Sequence, residues 1–324
     1  MPATDVLLVA VDSTTGWSAA ARELAASLER AGARVTVAGT GPLPRVRTFA
    51  LTDLQAARAA RRACERGIAE HEPRAVIYCS ITAALLWPRP GAIWLDTLAA
   101  ENRPGRHGVW QRIVERRRVQ QAPLVLAMSP HALGDVPPPA GGTVVVPVPV
   151  DPSGPLDLPR DVDALTYAGN PEKKRLEHVL AAWTGARRDG ETLIVAGLDR
   201  FEPRPGVELA GRLEPGAYRA LLRRTRLFVA APTREDYGIA PLEALADGCQ
   251  LVTTAAPGPY PAFEIARVLD PRLTVEDLGA AIRAALDDPL PGYRARAAEL
   301  LEPFSSAAVD RVVGDHVLPR LLSR

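Results

Sequence analysis

Lysine is almost missing from this chain. Of its 39 Lys and Arg residues only Lys173 and Lys174 are lysines, which leaves 37 arginines. Cysteine is sparse as well. Cys64, Cys79 and Cys249 form an odd set without C-x-x-C spacing, which argues against a disulfide framework or a cysteine zinc site and for a reducing compartment. Cys79, inside the apolar run AVIYCS, reads as a small core residue. The five histidines (His71, His107, His131, His178, His316) never pair at metal-ligand spacing. No apolar stretch reaches the roughly 20 residues that span a bilayer. No basic segment precedes DVLLVAV (5–11), so that run reads as a first strand rather than a signal core, and a cytoplasmic protein is expected. Neither sign of charge dominates, and the formal net charge is +1.

What is present fits two globular domains. A chain of 324 residues exceeds one ordinary core and suits two of about 150 each. A hydrophobic content of 47% excludes disorder as the default. The halves differ in charge. Residues 1–150 carry 17 Arg against 12 Asp and Glu, or +5, and residues 151–324 carry 22 Lys and Arg against 26 Asp and Glu, or −4. The basic first half, densest at Arg116, Arg117 and Arg118 with Arg112 one turn earlier, suits an anionic small-molecule partner or weak peripheral contact with an anionic membrane surface. A solvated helix face accounts for the same cluster. No nucleic-acid partner is expected.

Strand and helix patterns alternate along the chain. DVLLVAV (5–11), RVTVAG (34–39), AVIYCS, AIWLD, LVLAMS and TVVVPVPV read as strands. Segments 18–32, 51–71 and 109–120 read as helices. Continuous apolar strands separated by helices predict an α/β fold with parallel sheets covered on both faces. The proline-rich stretches 137–142 and 148–159 read as linker, and the βα pattern restarts at Ala164. The predicted domains are therefore 1–150 and 151–304, with a last helix over 305–324.

The richest stretch is Arg234–Gly248, REDYGIAPLEALADG. It follows a short apolar run, LFVAAP, that reads as a buried parallel strand. Pro241 fits the first position of a helix, Leu242, Leu245 and Ala246 its apolar face, and Gly248 its stop. Glu243 then falls in the first turn and Glu235 in the loop above the strand. Unpaired N–H groups at such a helix start bind anions, phosphate included. The segment thus offers a phosphate cradle flanked by two carboxylates that accept hydrogen bonds from hydroxyls.

These residues resemble the E-x7-E signature of retaining glycosyltransferases with the GT-B fold, specifically glycosyltransferase family 4. The resemblance implies two Rossmann-like parallel-sheet domains facing across a cleft, an acceptor domain first and a nucleotide-sugar donor domain second, with the last helix crossing back to the first. It implies that Glu235 meets the donor sugar, that Glu243 meets the ribose, and that the N–H groups of Gly238, Ile239 and Ala240 face the diphosphate. Glu264 matches a family position in a loop near the donor.

LTYAGNPEKKRL (165–176) holds the two lysines after a strand and a glycine turn at Gly169. A compact ammonium there can neutralise charge on a leaving diphosphate. The family pattern of Gly-Arg followed by Lys favours Lys174, with Lys173 its neighbour. Asn170 stands where the family usually has arginine, a departure that leaves Lys173 and Arg175 as the candidates for any second cation.

On the acceptor side, Ser13–Ser18 follows the first strand and opens the first helix, in the place of the family's glycine-rich loop. It keeps only Gly16, beside Trp17, so it lacks the G-x-G-x-x-G of a nicotinamide site. It suits a phosphate, an acceptor hydroxyl or an ordinary capped turn. Asp96 ends the strand AIWL where many family members carry a histidine, and can orient an acceptor hydroxyl. The loop after it brings Glu101, Asn102, Arg103, Arg106 and His107, of which Arg103 and His107 are acceptor candidates. Asp161-Val162-Asp163 imitates a metal-binding D-x-D but reads as a linker turn, so neither metal nor cofactor is expected.

The expected activity is metal-independent, retaining transfer of a sugar from a nucleoside-diphosphate sugar to a small-molecule, glycan or lipid-linked acceptor. The alternatives are a nucleotide-sugar epimerase or hydrolase on the same fold, and a non-catalytic nucleotide-sugar-binding protein.

Overall fold

β1 (Val6–Ala10) is buried at every position, as an unbroken apolar run must be when both sheet faces are covered. The computed structural model describes residues 4–11, 15–43, 48–98, 103, 105 and 108–323. They divide into two compact units, one of 1–149 with 304–324 and one of 150–303.

The first unit continues with α1 (Thr15–Arg30), β2 (Val35–Gly39), α2 (Phe49–His71), β3 (Ala75–Tyr78), α3 (Ile81–Ala84), β4 (Ala92–Leu95), α4 (Val109–Gln121), β5 (Val125–Ala127) and β6 (Thr143–Val145). Its sheet runs β2-β1-β3-β4-β5-β6, and all its pairings are parallel. β6 is shorter than the run TVVVPVPV suggests. Pro147 and Pro149 have no N–H to give a ladder, so pairing stops at Val145.

The second unit holds β7 (Val162–Tyr167), α5 (Leu176–Ala186), β8 (Leu193–Ala196), β9 (Val207–Gly211), α6 (Pro215–Arg224), β10 (Thr225–Ala230), α7 (Ile239–Ala246), β11 (Gln250–Thr253), α8 (Pro261–Leu269), α9 (Leu278–Asp287) and α10 (Tyr293–Leu301). Its sheet order is β11-β10-β7-β8-β9, again parallel throughout. The chain moves outward from β7 in one direction, then returns to build β10 and β11 on the other side. The connections leaving the carboxyl ends of β7 and β10 therefore run to opposite sides of the sheet, which makes a switch-point crevice where they leave it. That is where open α/β sheets bind ligands.

The chain ends in α11 (Ser306–Val312), a π turn (Val313–Val317) and α12 (Leu318–Leu322), all in the first unit. Arg30 of α1 donates to Asp310 at 2.5 and 3.0 Å, and Arg74 donates to Leu322 O at 2.9 Å. Cys64, Cys79 and Cys249 are free and buried. No described helix is long and apolar enough to cross a membrane.

Candidate functional site

The helix after β10 starts two residues earlier than Pro241 suggests. α7 begins at Ile239, with Gly238 before it at φ +81°, so Pro241 is its third residue. Proline is harmless there, because no first-turn N–H has an intrahelical acceptor. The first bond is that of Leu242 N–H to Gly238 O at 3.2 Å. Gly238, Ile239 and Ala240 thus precede it with N–H groups at the helix start. The earlier start moves Glu243 to the fifth helical position, beyond the first turn. Gly248, at φ +80°, ends the helix. Its N–H reaches Leu245 O at 3.0 Å, and that of Cys249 reaches Ala244 O at 2.8 Å, which satisfies the last carbonyls.

Glu235 is only 6% exposed. Its N–H donates to Pro257 O at 3.0 Å, and its carboxylate accepts from the ammonium of Lys174. The two loops are tied at a second place: Thr233 donates to Lys173 O from its N–H at 2.9 Å and from its hydroxyl at 3.2 Å. Lys173 Nζ lies 4.0 Å from Asp236. Lys174 also lines a small pocket with Thr166, Tyr167, Ala231, Ala240 and Pro241. The switch-point crevice therefore holds a cation, a carboxylate and a helix start.

Asn170 shapes this loop. Its Oδ1 accepts from Lys173 N–H and its carbonyl from Lys174 N–H, each at 3.0 Å. Its side chain folds the turn that presents the lysines. Gly169 packs under Tyr167, whose hydroxyl would lie 2.7 Å from an added Cβ. Arg175, next along, has φ +46°.

Glu243 faces α6. Its Oε1 lies 3.6 Å from Arg219 Nη1. Burial pushes its carboxyl up to about 7, opposed by the nearby Arg219 charge and reinforced by Asp247. Asp247 itself is fully buried and accepts from Arg219 Nε at 2.5 Å, Ser153 N–H at 2.7 Å and the Ser153 hydroxyl at 3.0 Å.

Three residues here escape sequence reasoning. Arg219 and Asp247 lie in ordinary-looking helical text. Tyr260, with φ +32°, is buried against Gly238, where an added Cβ would come 3.0 Å from its ring, and its hydroxyl is 2.8 Å from that of Thr253. The only local signal is its place between two prolines in GPYPAF. Glu264 sits not in a loop but in the first turn of α8, paired with Arg267 at 2.7 Å, because Pro261 starts the helix early. Asp161 pairs with Arg224 at 2.5 Å and Asp163 with Arg226 at 3.1 Å, so the D-x-D carboxylates are each engaged by an arginine. Among the described residues no cluster of three or more His, Cys, Asp or Glu is placed to hold a metal.

In the first unit, Gly16 and Trp17 lie in the first turn of α1, and the Trp17 ring meets Trp94 edge-on at 6.5 Å. Asp96 follows β4 and its Oδ1 accepts from Thr97 N–H at 2.7 Å. Arg103 Nε pairs with Asp53 of α2 at 3.1 Å. His107, with Glu101, Asn102 and Arg106, lies outside the described residues. Of the arginines on α4, Arg112 donates to Arg103 O and Gly105 O at 2.5 and 2.9 Å, and Arg118 donates to Leu85 O at 3.0 Å.

Residues 163–301, nearly all of the second unit, match the sequence model of glycosyl transferases group 1. Comparison with curated proteins gives no match. The fold is similar to that of a sucrose-phosphate synthase from Thermosynechococcus elongatus, at 16% identity and TM-score 0.69 over 95% of this chain and 96% of that one. A trehalose 6-phosphate synthase from Burkholderia multivorans follows at 11% identity and TM-score 0.65, covering 99% and 98%. WaaG, a glycosyltransferase of lipopolysaccharide biosynthesis, superposes at 13% identity and TM-score 0.64, covering 98% and 97%. The two parallel-sheet units are those of the GT-B fold.

Proposed function

We propose that the protein is a retaining, metal-independent glycosyltransferase of family 4 that takes its sugar from a nucleoside-diphosphate sugar. The observation that carries this reading is the meeting of Lys174 and Glu235 at the β7/β10 switch point, beside the start of α7. The match of residues 163–301 to glycosyl transferases group 1 supports it.

The donor diphosphate lies across the N–H groups of Gly238, Ile239 and Ala240, with Lys174 neutralising charge on the leaving phosphate. Glu235 accepts hydrogen bonds from the sugar and stabilises the positive charge that develops at its anomeric carbon. Glu243 accepts hydrogen bonds from the ribose. In the transfer step the bond from the anomeric carbon to the phosphate oxygen breaks. A bond to the acceptor oxygen forms on the same face, and the acceptor's proton passes to the departing phosphate oxygen. No strong base is needed. The Asp161 and Asp163 pairings with arginine support charge neutralisation by Lys174 rather than by a D-x-D metal. The acceptor belongs to the first unit, where Asp96, Gly16 and Trp17 are the candidates.

Glu235→Ala separates the readings. For a transferase it abolishes turnover of the donor while nucleoside-diphosphate binding weakens only modestly. Equal release of free sugar by wild type with and without acceptor would assign a hydrolase instead. Absence of turnover in wild type over a panel of donors and acceptors, with nucleotide still bound, would assign a binding protein.

A further inference from the structure

Arg219 turns its three guanidinium nitrogens to three different residues, two on α7 and its C-cap and one on the strap before β7. Nε donates to the buried Asp247 at 2.5 Å, Nη2 donates to Asp151 O at 2.7 Å, and Nη1 stands 3.6 Å from Glu243 Oε1. Its side chain is 16% exposed. Asp151 belongs to the strap by which the chain enters the second unit, and the next residue but one, Ser153, is held by Asp247 through both its N–H and its hydroxyl. Arg223, one turn along α6, also donates to the Ser153 hydroxyl. A planar, permanently charged fork reaches three acceptors at fixed angles; a lysine ammonium does not.

We propose that Arg219 is a positioning residue for donor binding: it holds the Glu243 carboxyl against α6, favours its charged form over the neutral one that burial promotes, and ties it to Asp247 and to the entry strap at Asp151. The proposal rests on the assignment of Glu243 to the ribose. Among the described residues, the charged and titratable groups around Glu243 are Arg219 and Tyr218 of α6 and Asp247 at the end of its own helix. Asp247 disfavours the second negative charge, Tyr218 stays neutral, and among the described residues Arg219 is the cation that opposes both burial and Asp247. Ionised, Glu243 presents two strong acceptor oxygens and no donor, the form that best matches two adjacent ribose hydroxyls that both donate.

The test measures two things on the full chain. The Glu243 carboxyl is followed by carbon NMR against pH in wild type, Arg219→Gln and Arg219→Lys. In parallel, UDP, GDP and ADP are titrated into the same proteins between pH 6 and pH 9. Arg219→Gln is expected to raise the Glu243 midpoint by about one pH unit or more. It should weaken nucleotide binding most at pH 6 and recover towards wild type at pH 9, with Arg219→Lys between. An unchanged midpoint, or a binding loss equal at every pH, overturns the positioning role and leaves Arg219 a structural clamp. If instead the midpoint moves but Glu243→Gln leaves nucleotide binding unaltered, the ribose assignment fails, and with it the link from Arg219 to donor binding. Should Arg219→Gln not fold, Arg219→Lys alone still has to shift both profiles in the same direction.

Discussion

Lys174, on the loop leaving β7, donates to the Glu235 carboxylate, on the loop leaving β10, across 61 residues of sequence. Each side chain satisfies the other, and in the proposed donor site a diphosphate competes with the Glu235 carboxylate for the ammonium.

Lys174→Ala is expected to weaken nucleoside-diphosphate binding about ten- to a hundredfold, the worth of one hydrogen bond to a charged group. Lys174→Arg should recover only part of it, because a planar guanidinium cannot replace a compact ammonium over Glu235. Calorimetric titration of both variants checks this.

Gly238→Ala should cost about 1–2 kcal/mol of stability. The residue sits at φ +81°, and its Cβ would lie 3.0 Å from the Tyr260 ring and 3.1 Å from Glu235 Cγ. Urea unfolding measures the loss. Nucleotide binding should fall with it, since the same glycine sets the first N–H groups of α7.

The pH dependence of stability carries the signature of Glu243. Its carboxyl is raised from 4.5 to about 7 in the folded protein, so the folded state holds a proton that the unfolded state has released. Stability contributed by this group is full below pH 4.5 and is lost as pH rises to about 7, by roughly 3 kcal/mol. Glu243→Gln should remove that slope, melting above wild type at pH 8 and no higher at pH 4.

Asp247→Ala should destabilise by about 3–5 kcal/mol, because it leaves Arg219 without its buried partner. Ser153 would also lose the acceptor for its N–H and hydroxyl. The shift in denaturant midpoint reports it. Asp247→Asn, which keeps an acceptor, should cost less.

Much of this was legible in the chain because local chemistry enforces it. The run LFVAAP, the glycine at 238 and the stop at Gly248 each have a backbone reason, and the βα junction followed. Parallel sheets were readable from strands with no polar alternation. Element ends were less so. Pro241 tolerates any first-turn position, so it did not mark the first residue of α7, and Glu243 moved with the helix start. Contacts across sequence were not readable at all. Nothing in PGAYRALLRR marks Arg219 as the partner of Asp247, and nothing in the sequence around Asn170 shows that its side chain folds the lysine turn. Such roles depend on strand order, which no local pattern encodes.

The most direct measurement is a thermal-shift titration of UDP, GDP, ADP and dTDP and their sugar conjugates against wild type and Lys174→Ala, with and without EDTA. Ligand that binds the folded state raises its melting temperature according to affinity. The expected result is stabilisation selective for one base, unchanged by EDTA and lost in Lys174→Ala. No stabilisation by any nucleotide, or one that survives Lys174→Ala in full, would contradict the donor site at the Lys174–Glu235 pair.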